Sequence, residues 1–203
     1  MVAARISLVL CLSLISCLAA PAAQAGPDAQ ATPSITLPAP DKEGGMPLMK
    51  ALSERKANRS FSDKPVSENI LGDLLWAAWG VNRPDGRRTA PTANNKQQVE
   101  VLVVLESGIW RYDGAGHQLH FVSRGDRRAS VGGAPIVLLY AAPDEKWAGM
   151  HVGSLYQNAG LYCASMKLAC VVRATGANVL TPEELKLPNG YQVYVTQSVG
   201  WPK

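Results

Sequence analysis

The sequence lacks the residues and patterns that mark several large functional classes. Its 203 residues include three histidines and four cysteines, and no group of His, Cys and carboxylate residues has metal-ligand spacing. No run of lysine and arginine reaches the density of a nucleic-acid patch, although the formal net charge is +4. The nucleophile elbow G-x-S-x-G, the P-loop and the dinucleotide fingerprint G-x-G-x-x-G are also missing. Metal catalysis, nucleic-acid binding, protease or esterase activity and nucleotide-triphosphate chemistry therefore have no support.

The longest apolar run lies at the N terminus. Residues 1–25 contain one charged side chain, Arg5, then the apolar run 6–20 and a small-x-small triplet that ends at Ala25. A basic start, an apolar middle and small residues at the end predict a secretory signal peptide that is cleaved after Ala25. The run is shorter than the roughly 20 residues of a membrane-spanning helix, so no membrane span is predicted.

Two alternatives stay open for this segment. One is lipoprotein processing at Cys17, because the residues before it resemble a lipobox, and the other is an uncleaved N-terminal anchor. No twin-arginine pair is present, so the chain would be exported unfolded to the periplasm. After cleavage, only Cys163 and Cys170 would remain, in an oxidising compartment.

Hydrophobic periodicity in the rest of the chain predicts one α+β domain. Residues 26–45 are rich in Pro, Ala and Gly, which predicts a flexible leader or an arm lying on a surface, with the ordered domain covering 46–203. The predicted helices are 46–57, 67–80 with Ser67 as the N-cap, 152–168 and 182–187 with Thr181 as the cap. The predicted strands are 99–105, 109–112, 118–122, 135–140 and 191–195, and 81–98 is a long polar loop.

The two remaining cysteines give a weak signal. The prediction places Cys163 and Cys170 on one helix, about 10.5 Å apart along its axis. This separation is too large for a disulfide while the helix persists. Two small buried residues are therefore favoured over a redox pair.

Two polar segments are candidates for a binding site. Arg55, Lys56 and Arg59 are close enough in sequence to clamp a phosphate, and the planar guanidinium of arginine suits a phosphate group. The loop 92–98 combines amides with a lysine and could bind the carbonyl and N–H edges of a flat heterocycle. Solvated charged faces have the same composition, so these segments alone leave both interpretations open.

Longer motifs around these segments give a more specific signal. The first runs Ala51-Leu52-Ser53-Glu54-Arg55-Lys56-Ala57-Asn58-Arg59-Ser60-Phe61-Ser62-Asp63-Lys64-Pro65-Val66-Ser67. The second runs Arg88-Thr89-Ala90-Pro91-Thr92-Ala93-Asn94-Asn95-Lys96-Gln97, and the third is Gln157-Asn158-Ala159-Gly160-Leu161-Tyr162-Cys163-Ala164. The first two resemble the patterns R-R-S-x-R-x-F followed by K-P-[IV]-[ST], and A-P-S-x-x-N-x-Q, of the nitroreductase family of FMN-dependent oxidoreductases. The third resembles the central helix of a subgroup related to SagB-type dehydrogenases, and segments 74–80, 171–174 and 199–203 continue the match over residues 46–203.

The resemblance implies a nitroreductase-like fold, in which helices flank a mostly antiparallel central sheet, and it implies FMN as the cofactor. The implied cofactor-binding residues are Arg55, Lys56, Ala57, Arg59, Asn95, Gln97, Arg173, Ala174 and Lys203. Arg55, Lys56 and Arg59 would hold the phosphate and ribityl chain, and Lys203 could reach the phosphate. Asn95 and Gln97 would face the flavin. Arg173 and Ala174 would lie near flavin N5 and the pyrimidine edge.

The chain departs from the family pattern at several positions. Ala57 stands where the signature has serine, so one phosphate or ribityl contact is lost or comes from the backbone only. Gln98 and Val99 replace the usual Q-P-W continuation, and no basic residue follows Lys203 in the sequence. These departures predict a lower affinity for FMN.

The family mechanism consists of two half-reactions at flavin N5, for which the protein positions and tunes the cofactor. A reduced donor delivers a hydride, and a small planar acceptor such as a nitro compound or a quinone then removes the electrons. No acid–base residue is assigned. The family is usually an intertwined homodimer with each FMN at the subunit interface, so a homodimer is expected.

Export complicates the choice of electron donor. The usual donor, NAD(P)H, is a cytoplasmic pool that a periplasmic protein would not meet freely, so another reductant or a redox protein is an alternative. Two further functions stay open: a non-catalytic module that binds or delivers flavin, and a flavin-free interaction protein on the same fold. Ala57 and the short C terminus favour the last.

Overall fold

The computed structural model describes residues 33–203, so the predicted signal peptide, its cleavage after Ala25 and lipidation at Cys17 fall outside that range. The helices are α1 (Leu48–Glu54), α2 (Glu68–Trp79), α3 (Arg128–Val131) and α4 (Ala148–Ser165). The strands are β1 (Ser34–Thr36), β2 (Glu100–Leu105), β3 (Gly108–Asp113), β4 (Gln118–Ser123), β5 (Ile136–Pro143), β6 (Ala169–Arg173) and β7 (Tyr191–Gly200). They form one seven-stranded sheet in the order β1-β4-β3-β2-β5-β7-β6, with every neighbouring pair antiparallel. The predicted α+β architecture is confirmed.

The chain is ordered before Met46, where the sequence predicts the domain to begin. Strand β1 pairs with β4, and the Leu37 N–H donates to the His117 carbonyl at 3.1 Å. The His117 ring fixes the same segment, because its Nε2 donates to the Pro38 carbonyl at 2.8 Å. Residues 34–38 are therefore held at the β4 side of the sheet.

Helix α2 begins and ends where local signals predict. The Ser67 hydroxyl accepts a hydrogen bond from the Ile70 N–H at 3.4 Å, as an N-cap does. The Gly80 N–H donates to the Trp76 carbonyl at 2.7 Å and closes the last turn. The buried residues of α2 are Leu71, Gly72, Leu74, Leu75, Ala78 and Trp79, and this face packs on the sheet and on α4.

The central strands are buried on both faces of the sheet. Val101 and Val103 of β2 belong to the core cluster that includes α2 and α4. Leu102 and Val104 belong to the cluster on the opposite face, together with Leu185. Each fully buried aliphatic side chain stabilises the folded state by about 1.5–3 kcal/mol relative to an exposed one. Both faces therefore stabilise the strands that carry the site.

Helix α4 ends at Ser165, three residues before the predicted end, and begins at Ala148, four residues before the predicted start. Lys167 adopts a left-handed conformation with φ 58°, and its N–H donates to the Ala164 carbonyl at 3.1 Å. The Leu168 N–H donates to the Cys163 carbonyl at 2.8 Å, which completes a Schellman motif. The signal was missed because a lysine, and not a glycine, occupies the left-handed position. No helix within residues 33–203 has the length and apolarity to cross a membrane.

The predicted helix at 182–187 is wrong. These residues form turns, although Thr181 and Glu184 make the reciprocal hydrogen bonds of a capping box, at 2.8 and 3.2 Å. Lys186 has φ 49° and Pro188 follows, so the chain leaves the helical path after one turn. A segment of this length cannot offset the cost of helix nucleation.

Candidate functional site

The segment after α1 carries the predicted phosphate-binding cations and is held against the sheet edge. The Asn58 N–H donates to the Cys170 carbonyl on β6 at 2.9 Å, and the Lys203 N–H donates to the Ser60 carbonyl at 3.4 Å. The chain therefore runs between the edge strand and its own C terminus. This arrangement brings together Arg55, Lys56, Ala57, Arg59 and Lys203, all of them exposed.

The four basic residues of this group (Arg55, Lys56, Arg59 and Lys203) are here called the cation cluster. Three of them, Lys56, Arg59 and Lys203, line one of two concave surfaces. A cavity of about 460 Å³ is lined by Lys56, Asn58 and Cys170, among others. A more open cleft of about 510 Å³ is lined by residues 57–61, Gly133 and Lys203. Within residues 33–203, no carboxylate pairs with any member of the cation cluster. The cluster is therefore available to an external anion.

Arg173 and Ala174 lie at the end of β6 and just beyond it. Arg173 pairs with Thr196 of β7, and its Nε is buried without a hydrogen-bond partner among the described residues. A buried donor without a partner costs free energy, which a bound acceptor would recover. Arg173 is three residues beyond Cys170, or about 10 Å at the rise of a strand. The backbone of Arg173 is therefore about 10 Å from the point where the cation-bearing segment meets β6.

The loop 92–98, which is predicted to contact the flavin and is here called the flavin loop, contains a single 3₁₀ turn, Ala93–Asn95. The residues after this turn form hydrogen bonds within the loop. The side chain of Gln97 accepts from Arg88 Nε at 2.8 Å and donates to the Gly86 carbonyl at 3.3 Å and to Asn95 Oδ1 at 3.1 Å. Asn95 and Gln97 both have positive φ, at 52° and 50°. The Gln97 amide therefore shapes the loop, and contact of Asn95 and Gln97 with a flavin stays a prediction.

Arg88 holds this loop in place, although it is not among the predicted cofactor-binding residues. Its guanidinium donates to Gln97 Oε1 and, through Nη1, to the Trp79 carbonyl at 2.8 Å. It also stacks over the Trp79 ring at 4.7 Å. Burial lowers the pKa of Arg88, although the group stays protonated at neutral pH. The arginine joins the end of α2 to the flavin loop.

His151, in the first turn of α4, anchors the other side of the loop. It is buried, and its Nε2 accepts a hydrogen bond from the Ala93 N–H at 2.8 Å. Lys96 forms an ion pair with Glu145 just before α4, at 2.7 Å. The sequence contains no local signal for the contact of His151 with Ala93, because 58 residues separate the partners.

Replacing His151 by leucine is expected to loosen the loop without unfolding the domain. The change leaves the Ala93 N–H without its acceptor, at a cost of about 1–3 kcal/mol. Hydrogen exchange should therefore become faster at the Ala93 amide. His120→Leu, at a partly exposed histidine on β4, is the matched control and should leave that exchange rate unchanged. Equal exchange at Ala93 in both variants would contradict the assigned contact.

The loop and the cation cluster lie at opposite ends of α4 within one chain. The loop is anchored at His151, whereas the cavity beside the cluster is lined by Cys163 and Lys167 at the far end of the helix. Twelve residues of α-helix separate His151 from Cys163, or about 18 Å. The predicted site residues therefore form two separate groups in one protomer, with Arg173 and Ala174 nearest to the cation cluster along β6.

The fold and these groups define an α+β protein with a cluster of cations at one edge of an antiparallel sheet. The model of the nitroreductase family matches residues 52–201. The chain belongs to the nitroreductase family, a family of oxidoreductases. Among the residues that the structure describes, no cluster of three or more His, Cys, Asp or Glu side chains has the geometry of a metal site.

Similar proteins agree with this membership. A nitroreductase-family protein of Methanocaldococcus jannaschii is 26% identical over 153 residues, which cover 61% of this chain and 76% of that protein. A nitroreductase-family structure from Ralstonia eutropha JMP134 is 35% identical with a TM-score of 0.77, and the match covers 84% of this chain and 90% of that one. A nitroreductase with bound FMN from Bacteroides fragilis shares the fold, with a TM-score of 0.56 at 15% identity over 77% of this chain and 88% of that one.

Proposed function

We propose that this protein binds FMN and passes electrons through it from a reduced donor to a small planar acceptor such as a nitro compound or a quinone. The observation that carries the proposal is the cation cluster, whose members converge at the sheet edge and have no carboxylate partner in residues 33–203. Membership in a family with FMN-bound structures supports the same cofactor. The closer relation to SagB-type dehydrogenases stays a prediction.

The residues present fit a phosphate-bearing flavin. Arg55, Arg59 and Lys203 would bind the phosphate, since charge-assisted hydrogen bonds from arginine are well suited to it. Ala57 offers only its backbone N–H to that group. The unpaired Nε of Arg173 would donate to an acceptor on the flavin. When bound, FMN would supply hydride and electron transfer at N5, and the protein would hold and orient it.

The absorbance spectrum of the purified protein tests the proposal. We expect a yellow protein with FMN in a stoichiometric amount after the cofactor is added in excess and the unbound portion is removed. Reduction by an added donor and reoxidation by a nitro compound or a quinone should follow. A protein that retains no FMN would contradict the proposed function.

Ala57 favours a second candidate, a protein of the same fold that binds FMN weakly or not at all. Alanine removes the hydroxyl that the family signature places in the phosphate site. Two measurements separate the candidates. Bound flavin that turns over between donor and acceptor supports the enzyme. Bound flavin that does not turn over supports a flavin-binding module, and the absence of bound flavin supports an interaction protein.

We further infer that the protein is exported through a signal peptide that ends at Ala25 and acts in the periplasm. The N-terminal pattern supports this inference. The electron donor would then be a periplasmic reductant or redox protein, because NAD(P)H is a cytoplasmic pool. Intact mass of the protein recovered from the periplasmic fraction should correspond to a chain that starts at Gly26. Recovery of the full-length precursor from the cytoplasm would contradict export, and a lipid-modified chain that starts at Cys17 would support the lipoprotein alternative.

We infer a homodimer in which the flavin loop of one protomer complements the cation cluster of the other. Within one chain, about 18 Å of α4 separates His151, which anchors the flavin loop, from Cys163 in the cavity beside the cation cluster, and this separation supports the arrangement. Exposed apolar side chains also support it, since Leu48, Met49 and Met150 expose 62%, 75% and 65% of their surface. Neighbouring exposed apolar residues such as Leu48 and Met49 are typical of protein interfaces.

Replacing Met49 by glutamate is therefore expected to shift the protein from dimer to monomer. A charge in an apolar interface should raise the dimer dissociation constant by at least about tenfold. Light scattering after size-exclusion chromatography measures the shift. Val179→Glu, at an exposed apolar residue outside α1 and α4, is the control and should stay dimeric. A monomeric wild-type protein would contradict the inference.

A further inference from the structure

The cavity beside the cation cluster has two cysteines in its wall. Cys163 lies on α4 and Cys170 lies on β6, and both are free thiols lining the same cavity of about 460 Å³. The prediction that they share one helix is wrong. The Schellman motif after Ser165 reverses the chain and returns β6 alongside the helix end. Both thiols lie in the wall of that cavity, and the Leu168 N–H, which donates to the Cys163 carbonyl at 2.8 Å, brings the residue before β6 against the helix turn that carries Cys163.

The sulfur of Cys170 accepts an oriented hydrogen bond from a buried amide. Gln197 of β7 is fully buried, and its Nε2 donates to Cys170 Sγ at 3.0 Å and to the Tyr156 carbonyl at 3.1 Å. The Tyr140 hydroxyl donates to Gln197 Oε1 and so fixes which end of the amide faces the cysteine. This network holds an N–H donor against the sulfur. A hydrogen-bond donor so placed favours the thiolate form of a cysteine.

The surroundings of the pair are electropositive on the cavity side. Lys56 and Lys167 line the cavity together with the two cysteines and one carboxylate, that of Glu54, which forms an ion pair with Lys50. Arg55 also acts on Cys170. The hydrogen bond from Cys163, followed by that from Gln197 and the charge of Arg55, lowers the pKa of Cys170, against the opposing effect of burial. The pKa of Cys163 is raised, because its thiol is the donor of that hydrogen bond and is buried. The two cysteines are therefore chemically unequal.

We propose that Cys163 and Cys170 form a redox-active dithiol that small hydroperoxides oxidise to a disulfide. The Cys170 thiolate attacks the terminal peroxide oxygen, the O–O bond breaks, and the leaving alkoxide or hydroxide takes a proton from solvent. Cys170 is then a sulfenic acid. The sulfur of Cys163 attacks that of Cys170, the S–O bond breaks, and water leaves with the Cys163 proton. The peroxide gains two electrons, which the two thiols lose. This activity requires no flavin.

The cavity accounts for the choice of oxidant. Cys163 and Cys170 expose only 1% and 8% of their surface, so a protein disulfide cannot reach the sulfur of either in the folded chain. A small peroxide can enter the cavity, where Cys170 forms part of the wall. Reactive thiols in proteins are those with thiolate character, a cationic environment and a route to solvent. Cys170 meets these conditions.

Hydrogen peroxide added to the purified full-length protein tests the proposal. We expect the chain to lose two hydrogen atoms in mass, and proteolysis without reductant should release a peptide pair joined through Cys163 and Cys170. Dithiothreitol should restore both thiols. Unchanged thiols after treatment would overturn the proposal, and so would oxidation of Cys170 to sulfinic acid with Cys163 left free.

Two serine variants serve as controls for each other. In Cys163→Ser, peroxide should produce a sulfenic acid at Cys170 that dimedone traps. In Cys170→Ser, dimedone should not label Cys163. Labelling of Cys163 in the second variant, without labelling of Cys170 in the first, would overturn the assigned roles. The disulfide-linked peptide from the wild-type protein tests the pair even where a variant fails to fold.

A third variant tests the role of the buried donor. Gln197→Leu removes the N–H that faces Cys170 and should slow disulfide formation by about tenfold, the effect of one hydrogen bond to a charged group. Thr196→Val, at a neighbouring buried residue whose hydroxyl donates to the Arg173 carbonyl, is the matched control. Equal rates in these two variants would contradict a thiolate stabilised by Gln197.

Discussion

Replacing Arg55 and Arg59 together by alanine is expected to abolish retention of FMN during purification. Each arginine can donate charge-assisted hydrogen bonds to the phosphate, and such bonds contribute about 1.5–3 kcal/mol each. Loss of both should weaken FMN binding by about 10²–10⁴-fold, because each 1.4 kcal/mol corresponds to a factor of ten. Because both side chains are exposed and without carboxylate partners among the described residues, the domain should stay folded. Flavin absorbance and fluorescence titration of the FMN-free protein measure the effect.

The control for this double variant is Arg124→Ala, which removes an exposed arginine next to β4. It should retain FMN as the unaltered protein does. The unfolding temperatures of all three proteins should agree, which separates lost binding from lost structure. If the double variant retained stoichiometric FMN, the assignment of the cation cluster to the phosphate would be wrong.

Replacing Arg88 by alanine is expected to have the largest effect on stability. The guanidinium satisfies Gln97 Oε1 and the Trp79 carbonyl and also stacks on the Trp79 ring. Its removal leaves partly buried acceptors without a donor and should cost about 2–3 kcal/mol. For a domain of this size, the unfolding temperature should fall by roughly 5–10 °C. Thermal unfolding followed by circular dichroism measures the fall, and limited proteolysis should show earlier cleavage in residues 91–97.

Arg87→Ala provides the matched control for this change. Arg87 is exposed, and its side chain pairs only with Asp85 at the surface, at 3.4 Å. Surface ion pairs contribute little to stability. We expect its unfolding temperature to stay within about 2 °C of the original. A similar fall in both variants would mean that Arg88 does not have the structural role assigned to it.

Elements with complete local signals were predictable from the sequence. Helix α2 has a serine cap, helical spacing of apolar residues and a terminal glycine, and its bounds agree with prediction. Strands β2 to β4 also lie where the β-branched run at 99–105 and the hairpin turn at 113–116 predict them. The bounds of α4 and the turns at 182–187 were not predictable. The end of α4 depends on a lysine in the left-handed region, and one helical turn without packing support does not propagate.

The site was predictable only in part, for a related reason. The cations of residues 55–59 were found because a contiguous motif carries them. Arg88 contacts Gln97, nine positions away in the sequence, and His151 contacts Ala93, 58 positions away. No sequence spacing identifies such pairs. The same limit applies to Cys163 and Cys170. A seven-residue spacing indicates separation on a helix, whereas the turn between α4 and β6 brings both thiols to the wall of one cavity.

The short pairing of β1 with β4 determines where this chain can be trimmed. Without residues 33–45, β4 would become the outer strand, and its backbone N–H and C=O groups would be open to another chain. Exposed outer strands promote aggregation by pairing between molecules. β1 covers β4 and is itself an outer strand of only three residues. Pro33 and Pro38, near its two ends, limit its pairing with another chain. A recombinant protein begun at Met46 is therefore expected to aggregate, whereas one begun at Gly26 keeps its sheet border closed.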